Sequence, residues 1–160
     1  MKDGFSSFHN QYLNSYIQFA DTKAAIFISI NGVILGYIFT QLKGLGVIDF
    51  SNKTHLTLVI SIVFIAVSYY FLCSVIFPRR KFKNGKGVIF WDEVITYNTA
   101  ENYSEKVLSL TDEALEKLMI QQNFYLSKTA NKKYKALFGS FVFSFLGYIS
   151  LFIYCIIIIF

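Results

Sequence analysis

Asp21 and Lys23 place opposite charges two residues apart at the head of a run, Ala24 to Leu42, that carries no charge. Residues two apart on a helix point to different sides, so these charges are not each other's partners. Lys23 can reach water along its own stem at a membrane boundary. Asp21 gains nothing from that position and calls for a basic partner elsewhere: Arg79, Arg80 and Lys81 after the second apolar run, or Lys132, Lys133 and Lys135 before the third. Asn31 lies inside the first run, where an amide is costly unless it finds a hydrogen bond on another helix. With Ser29, Gly32 and Gly36 nearby it marks a close helix contact, Gly32 and Gly36 forming a small-xxx-small pair. Gly139, Ser140, Ser144 and Gly147 offer a similar face on the last run. Packing is the plain use of these residues, and a polar stripe lining a pore is the sharper one.

A further set occupies QQNFYLSKTANKKYKAL, where Gln121, Gln122, Asn123, Ser127, Lys128, Asn131, Lys132, Lys133 and Tyr134 gather amides, hydroxyls and positive charge. Such a set can hold a phosphate and a base edge, or dress a helix for anionic lipid headgroups. Arg79, Arg80, Lys128, Lys132 and Lys133 are the candidate phosphate contacts, with Trp91 or Tyr134 for base stacking.

Catalysis finds no support. The carboxylate groups Asp92-Glu93, Glu101-Glu105 and Asp112-Glu113-Glu116 suit solvated helix surfaces and helix N-termini. His9 and His55 fall on opposite expected sides of a membrane, and no phosphate-binding glycine loop or Ser-His-Asp arrangement is present. Cys73 and Cys155 would sit at depths differing by roughly 20 Å, beyond disulfide reach, and read as buried thiols. No metal, cofactor or enzymatic activity is expected.

The elements that must position these groups follow from composition. The 160 residues allow one domain, and 54% hydrophobic content with only 16% charged residues and a mean hydropathy of +0.47 point to a membrane protein. Three uncharged runs each reach about the 20 residues that cross a bilayer. They divide the chain into a lead (1–23), a first span (24–42), an external loop (43–55), a second span (56–77), a cytoplasmic helical region (78–135) and a third span (136–160). Most of the fifteen Lys and Arg fall between Pro78 and Lys135. That placement reads as topology and anionic-lipid contact rather than a nucleic-acid face, and puts the 78–135 region and the N-terminus in the cytoplasm. The lead holds Asp3 and Asp21 and lacks a signal-peptide pattern, so it should be retained.

Phe5, Phe8, Tyr12, Tyr16 and Phe19 recur at helical spacing without a breaker before Asn31, predicting an amphipathic helix continuous with the first span. Asn98 with Glu101 three residues on resembles a capping box opening a helix to about Leu110. VIFWDEVITY is open between a short strand and a helix start. Thr111 predicts an N-cap followed by Asp112 and Glu113, and from there one helix of some 45 residues runs into the third span. The expected fold is therefore an all-α integral membrane protein: three transmembrane helices, a helical cytoplasmic insert and long helices extending from the membrane.

The order FADTKAAIFISINGVILG, FPRR, VIFWDEVITY and LEKLMIQQNFYLSKTANKKYKAL resembles the Pycsar effector family of bacterial transmembrane proteins. Matching positions are Asp21, Lys23, Ala24, Gly32, Pro78, Arg79, Phe90, Asp92, Gln121, Ser127, Lys133 and Tyr134, over about residues 15 to 150. The resemblance implies an effector of antiphage abortive infection in the bacterial inner membrane. A partner nucleotide cyclase makes cyclic CMP or cyclic UMP, and the effector impairs the membrane in response. Three spans cannot line a wide pore alone, so this reading expects a homo-oligomer contacting membrane lipid, with Asp21, Lys23, Asn31, Gly32, Gly36, Gln121 and Ser127 in coupling and packing. The alternatives are a non-signalling membrane anchor or assembly protein that recruits a cytoplasmic partner, and a small ion channel.

Overall fold

A computed structural model describes residues 4–46, 48–77 and 88–160, the side chains of Trp91 and Asp92 excepted. The described residues form helices α1 (Phe5–Leu45), α2 (Lys53–Ile76), α3 (Trp91–Val94), α4 (Ala100–Leu108) and α5 (Asp112–Ile159), and no strand. The chain divides into two compact units, the first Met1–Gln18 with Pro78–Asn131, the second Phe19–Phe77 with Lys132–Phe160. Helices α1 and α5 each contribute to both. Helices α1, α2 and α5 are long and apolar enough to cross a membrane.

In the second unit, α2 buries Leu58, Ser61, Ile65, Ser68, Leu72 and Val75. Their alternating spacing of three and four is that of a helix seam packed against neighbours. Helix α5 answers with Leu137, Ser140, Ser144, Gly147 and Tyr154, all buried. Helix α1 buries Ala20, Ala24, Asn31 and Ile38. The core has two apolar clusters. One holds Ala20, Ala24, Leu72, Val75, Ala136 and Leu137, with Tyr134 and Phe71 against it. The other holds Ile38, Leu58, Ile65 and Tyr154. Between lipid-like surroundings and this core there is little hydrophobic difference to drive association, so close packing and interhelical hydrogen bonds must hold the spans together. Hydroxyls of α2 and α5 supply these bonds to the opposite backbone: Ser61 Oγ donates to Gly147 O at 2.8 Å, Ser68 Oγ to Ser140 O at 2.9 Å and Ser150 Oγ to Thr57 O at 2.8 Å. Tyr69 OH reaches Ile28 O of α1 at 2.9 Å, and Tyr154 OH reaches Gln41 Oε1 at 3.1 Å.

The connection from α1 to α2 is short. Gly46 ends α1 at φ +66°, a left-handed conformation that a Cβ would disfavour. Asn52 caps α2, its side chain accepting from Thr54 N at 2.9 Å. Between them Ser51 donates both its hydroxyl and its N–H to Asp49 Oδ1, which holds the Asp49 carboxyl below its ordinary range. At the other end, Phe77 leaves α2 at φ −66° and ψ 123°, the extended region that a following proline imposes.

In the first unit, Thr111 caps α5 through Ala114 N at 3.3 Å, and Asp112 and Glu113 sit in its first turn, where the helix dipole favours them. VIFWDEVITY yields a single helical turn, α3, in which Glu93 and Val94 N–H donate to Phe90 O. The start of α4 corrects the capping-box expectation. Its N-cap is Thr99, extended at φ −140°, whose hydroxyl accepts from Asn102 N at 3.2 Å. The cap lies one residue later than Asn98, so Asn102 rather than Glu101 holds the third helical position and no reciprocal box forms. Tyr103 OH ties α4 to Val88 O at 2.9 Å.

The lead is helical and continuous with the rest of α1, as its aromatic spacing predicts. Phe5, Phe8, Tyr12, Tyr16 and Phe19 are all exposed, whereas Ser6, Leu13 and Ala20 are buried. The residues of this lead that α1 buries within its own chain are spaced by seven, two helical turns apart.

Candidate functional site

The most completely bonded polar group in the second unit is Asn31. It is fully buried, and its carboxamide engages both other spans. Nδ2 donates to Ser144 Oγ at 3.0 Å and to Ser68 Oγ at 3.3 Å, and Oδ1 accepts from Tyr148 OH at 2.6 Å. Ser68 gives its one proton to Ser140 O, so in the 2.7 Å contact between Ser68 and Ser144 the donor is Ser144. Each proton of the cluster then has an acceptor. A satisfied network of this kind fixes the relative rotation of three helices, since turning any one of them strands several groups at once.

Asp21 is ion-paired with Lys133, across α1 and α5. Lys133 is 16% exposed and Asp21 41%, so water screens the pair in part and its worth is on the order of 1 kcal/mol. Lys23 instead lies over the Phe19 ring at 4.3 Å. Lys133 shares its face of α5 with Leu137, Ser140 and Ser144 at spacings of four, three and four, which turns it toward α1. Lys132 and Lys135 are exposed. We expect Asp21→Asn to lower thermal stability in detergent by about 1 kcal/mol, and the Asp21→Lys, Lys133→Asp double variant to recover at least half of that; equal loss in both would remove the pair from the account.

Not every residue of the small-residue face is used within the chain. A methyl group added at Gly32 would meet the Tyr69 hydroxyl at 3.4 Å, while one at Gly36 would meet nothing within 4 Å. Ser29 donates to Ala25 O of its own helix and is exposed. At 3.6 residues per turn Gly36 lies about 140° from Asn31 and Ser29 about 160°, so neither shares the amide's face. The close approaches fall on α5: Gly147 against Ile65 and Ser61 O, and Gly139 against the Phe71 ring.

In the first unit the paired faces of α1 and α5 are polar. Ser6 Oγ donates to Glu116 Oε2 at 2.6 Å, Asn10 Nδ2 to Asn123 Oδ1 at 2.9 Å, and Asn123 Nδ2 to Ser6 O at 2.7 Å. Ser6 and Asn123 are each 3% exposed. Next to this knot is a cleft of about 300 Å³ walled by Phe5, Ile120 and Phe124, with His9 beside Phe5 at 5.7 Å between ring centroids. Polar atoms of Ser6, Asn123 and Ser127 complete its lining. Lys128 Nζ stands 4.2 Å from the Phe124 ring centroid. A second, more open hollow of about 640 Å³ lies between Thr96 to Asn98 and α4, lined by exposed polar residues such as Asn102, Glu105 and Lys106.

Of the residues expected to bind a ligand, Lys128, Lys132, Lys133 and Tyr134 lie within two turns of α5. Arg79 and Arg80 lie outside the described residues, as does the Trp91 side chain. Lys128 belongs to the first unit, and Lys132, Lys133 and Tyr134 to the second, where Lys133 is taken by Asp21 and Tyr134 packs on an apolar cluster. Gln121 is exposed, and Ser127 Oγ donates to Asn123 O at 2.8 Å. Among the described residues no group of three His, Cys, Asp or Glu side chains could hold a metal ion. The sequence pattern named Asn123 but not Ser68, Tyr148, Asn10, Phe5, Phe124 or His9 as site residues. The signal for Ser68 and Tyr148 was α2 and α5 hydroxyls on seams otherwise apolar, and for Phe124 and Phe5 it was aromatic side chains flanking a polar helix face.

The Pycsar effector protein domain model matches residues 6–160 of this chain. The Staphylococcus aureus Pycsar effector protein SaPycTM is 36% identical over 147 residues, which cover 92% of this chain and 90% of that protein. No solved structure matches this chain.

Proposed function

Because the chain belongs to the Pycsar effector protein family, whose role is antiphage defence, we propose that it is a bacterial inner-membrane effector triggered by a cyclic pyrimidine mononucleotide, cyclic CMP or cyclic UMP, and that it impairs the membrane when triggered. The observation that carries this reading is the filled, amide-locked interior of the three-span unit. Ile38, Leu58, Ile65, Leu72, Val75 and Tyr154 occupy the space a conduit would need, and Asn31 bonds all three helices around them. A resting unit of this kind is harmless, and damage requires either its rearrangement or its assembly with other copies. The unused face of Gly36 on α1 is a contact for a further copy in a homo-oligomer.

The nucleotide comes from a partner cyclase and acts by favouring one arrangement of the spans over another, by no more than its difference in affinity for the two. Helices α1 and α5 run unbroken from the first unit into the second and carry that bias. The N-terminus and the 78–135 region face the cytoplasm, where the nucleotide is made. Nothing in this action requires catalysis. Expression with an active pyrimidine cyclase should depolarise cells within one infection cycle, read with a potential-sensitive dye, whereas the chain with a catalytically dead cyclase should not. A protein that only anchors a partner would leave the potential unchanged in both.

A further inference from the structure

The cleft between the start of α1 and α5 has features that its packing does not require. Phe5 is 63% exposed and Phe124 57%, and Ile120 beside them is 54% exposed. Three large apolar side chains left open around one hollow are poor economy for a structural seam, since exposed apolar clusters of this kind mark binding sites. Neither ring nitrogen of His9 takes a hydrogen bond among the described residues, although its ring is half-buried against Phe5. The polar knot of Ser6, Asn10 and Asn123 beside it is closed on itself and holds the walls in place.

We propose, building on the cyclic-nucleotide reading above, that this cleft is the site for the base of the triggering nucleotide. The pyrimidine stacks on the aromatic walls supplied by Phe5 and Phe124, His9 bonds its polar edge, and Lys128 supplies positive charge for the cyclic phosphate. Aromatic walls bind any base by its π-face, and a hydrogen bond at the edge supplies selectivity. The volume of about 300 Å³ is at the small end for ligand cavities, room for one mononucleotide and not for a cyclic dinucleotide. Because the two walls belong to α1 and α5, filling the cleft fixes the pairing of the two helices that continue into the membrane unit.

The test is binding of tritiated cyclic CMP and cyclic UMP to the full chain in nanodiscs. Phe124→Ala and His9→Ala should each weaken binding about tenfold. Ile120→Trp, which fills the cleft while leaving its aromatic walls, should do the same, and Lys128→Gln should also flatten the salt dependence. Melting temperatures within about 2 °C of the parent protein would show that the variants fold. If the parent binds and the variants bind equally well, the cleft is not the site although the sensing reading stands. If the parent binds neither nucleotide, both fall. Variants that change only flotation with phosphatidylglycerol vesicles would assign the cleft to lipid and overturn the proposal.

Discussion

Replacing Asn31 by leucine is expected to destabilise the membrane unit by about 2 kcal/mol and to raise basal membrane leakage without any trigger. Leucine shares asparagine's branching but takes none of its bonds. Tyr148 OH loses its acceptor, and Ser68 and Ser144 lose a donor, in a region from which water is excluded. An unsatisfied buried group costs about 1–3 kcal/mol, and measured interhelical hydrogen bonds in membranes average nearer 0.6, so the cluster as a whole sets the figure. Two kcal/mol shifts a two-state balance about thirtyfold. If the resting arrangement is what the amide holds, that shift appears as cyclase-independent depolarisation. Denaturation in mixed micelles and dye uptake in uninfected cells measure the two effects. Stability lost without leakage would separate the amide from gating.

Gly147→Leu should be at least as damaging, by about 3 kcal/mol. Even a Cβ there would lie 2.9 Å from Ile65 Cγ1 and 3.3 Å from Ser61 O. The side chain of Ile65 can yield in part, but Ser61 O is backbone, so α2 must move away from α5 and the Ser61 to Gly147 hydrogen bond is lost with it. Gly36→Leu is the contrasting change, because a Cβ there would meet, beyond its own stretch of helix, no described residue within 4 Å. It should leave the melting temperature of the isolated chain unchanged or slightly raised, and reduce cross-linked oligomer on native gels. Equal loss of stability at both glycines would contradict the assignment of one to the chain's interior and the other to its outside.

How far the sequence carried the fold depended on whether the signal was local. The long rods were legible because no Gly or Pro interrupts α1 before Asn31 and because Thr111, Asp112 and Glu113 announce a helix start. The cost of a buried amide made Asn31 conspicuous. Its partners were not legible, since which faces of α1, α2 and α5 meet depends on their mutual rotation and not on any one helix's pattern. The same holds for Asp21: several basic residues share its depth, and only the register of α5 selects Lys133. Asn98 and Thr99 are both competent caps, and a local pattern cannot separate adjacent ones. The aromatic stripe of the lead predicted its helix but not the face that packs within the chain, which is that of Ser6, Leu13 and Ala20.

The proposed function requires that a cyclic pyrimidine mononucleotide acting on this chain alone breach a bilayer. Purified protein in liposomes loaded with a self-quenching dye tests it without cells or cyclase. Release on adding cyclic CMP or cyclic UMP, absent with the buffer alone and with a cyclic dinucleotide, is the predicted result. Intact vesicles under every condition, from protein shown by proteolysis to be inserted with its N-terminus on the nucleotide side, would contradict it.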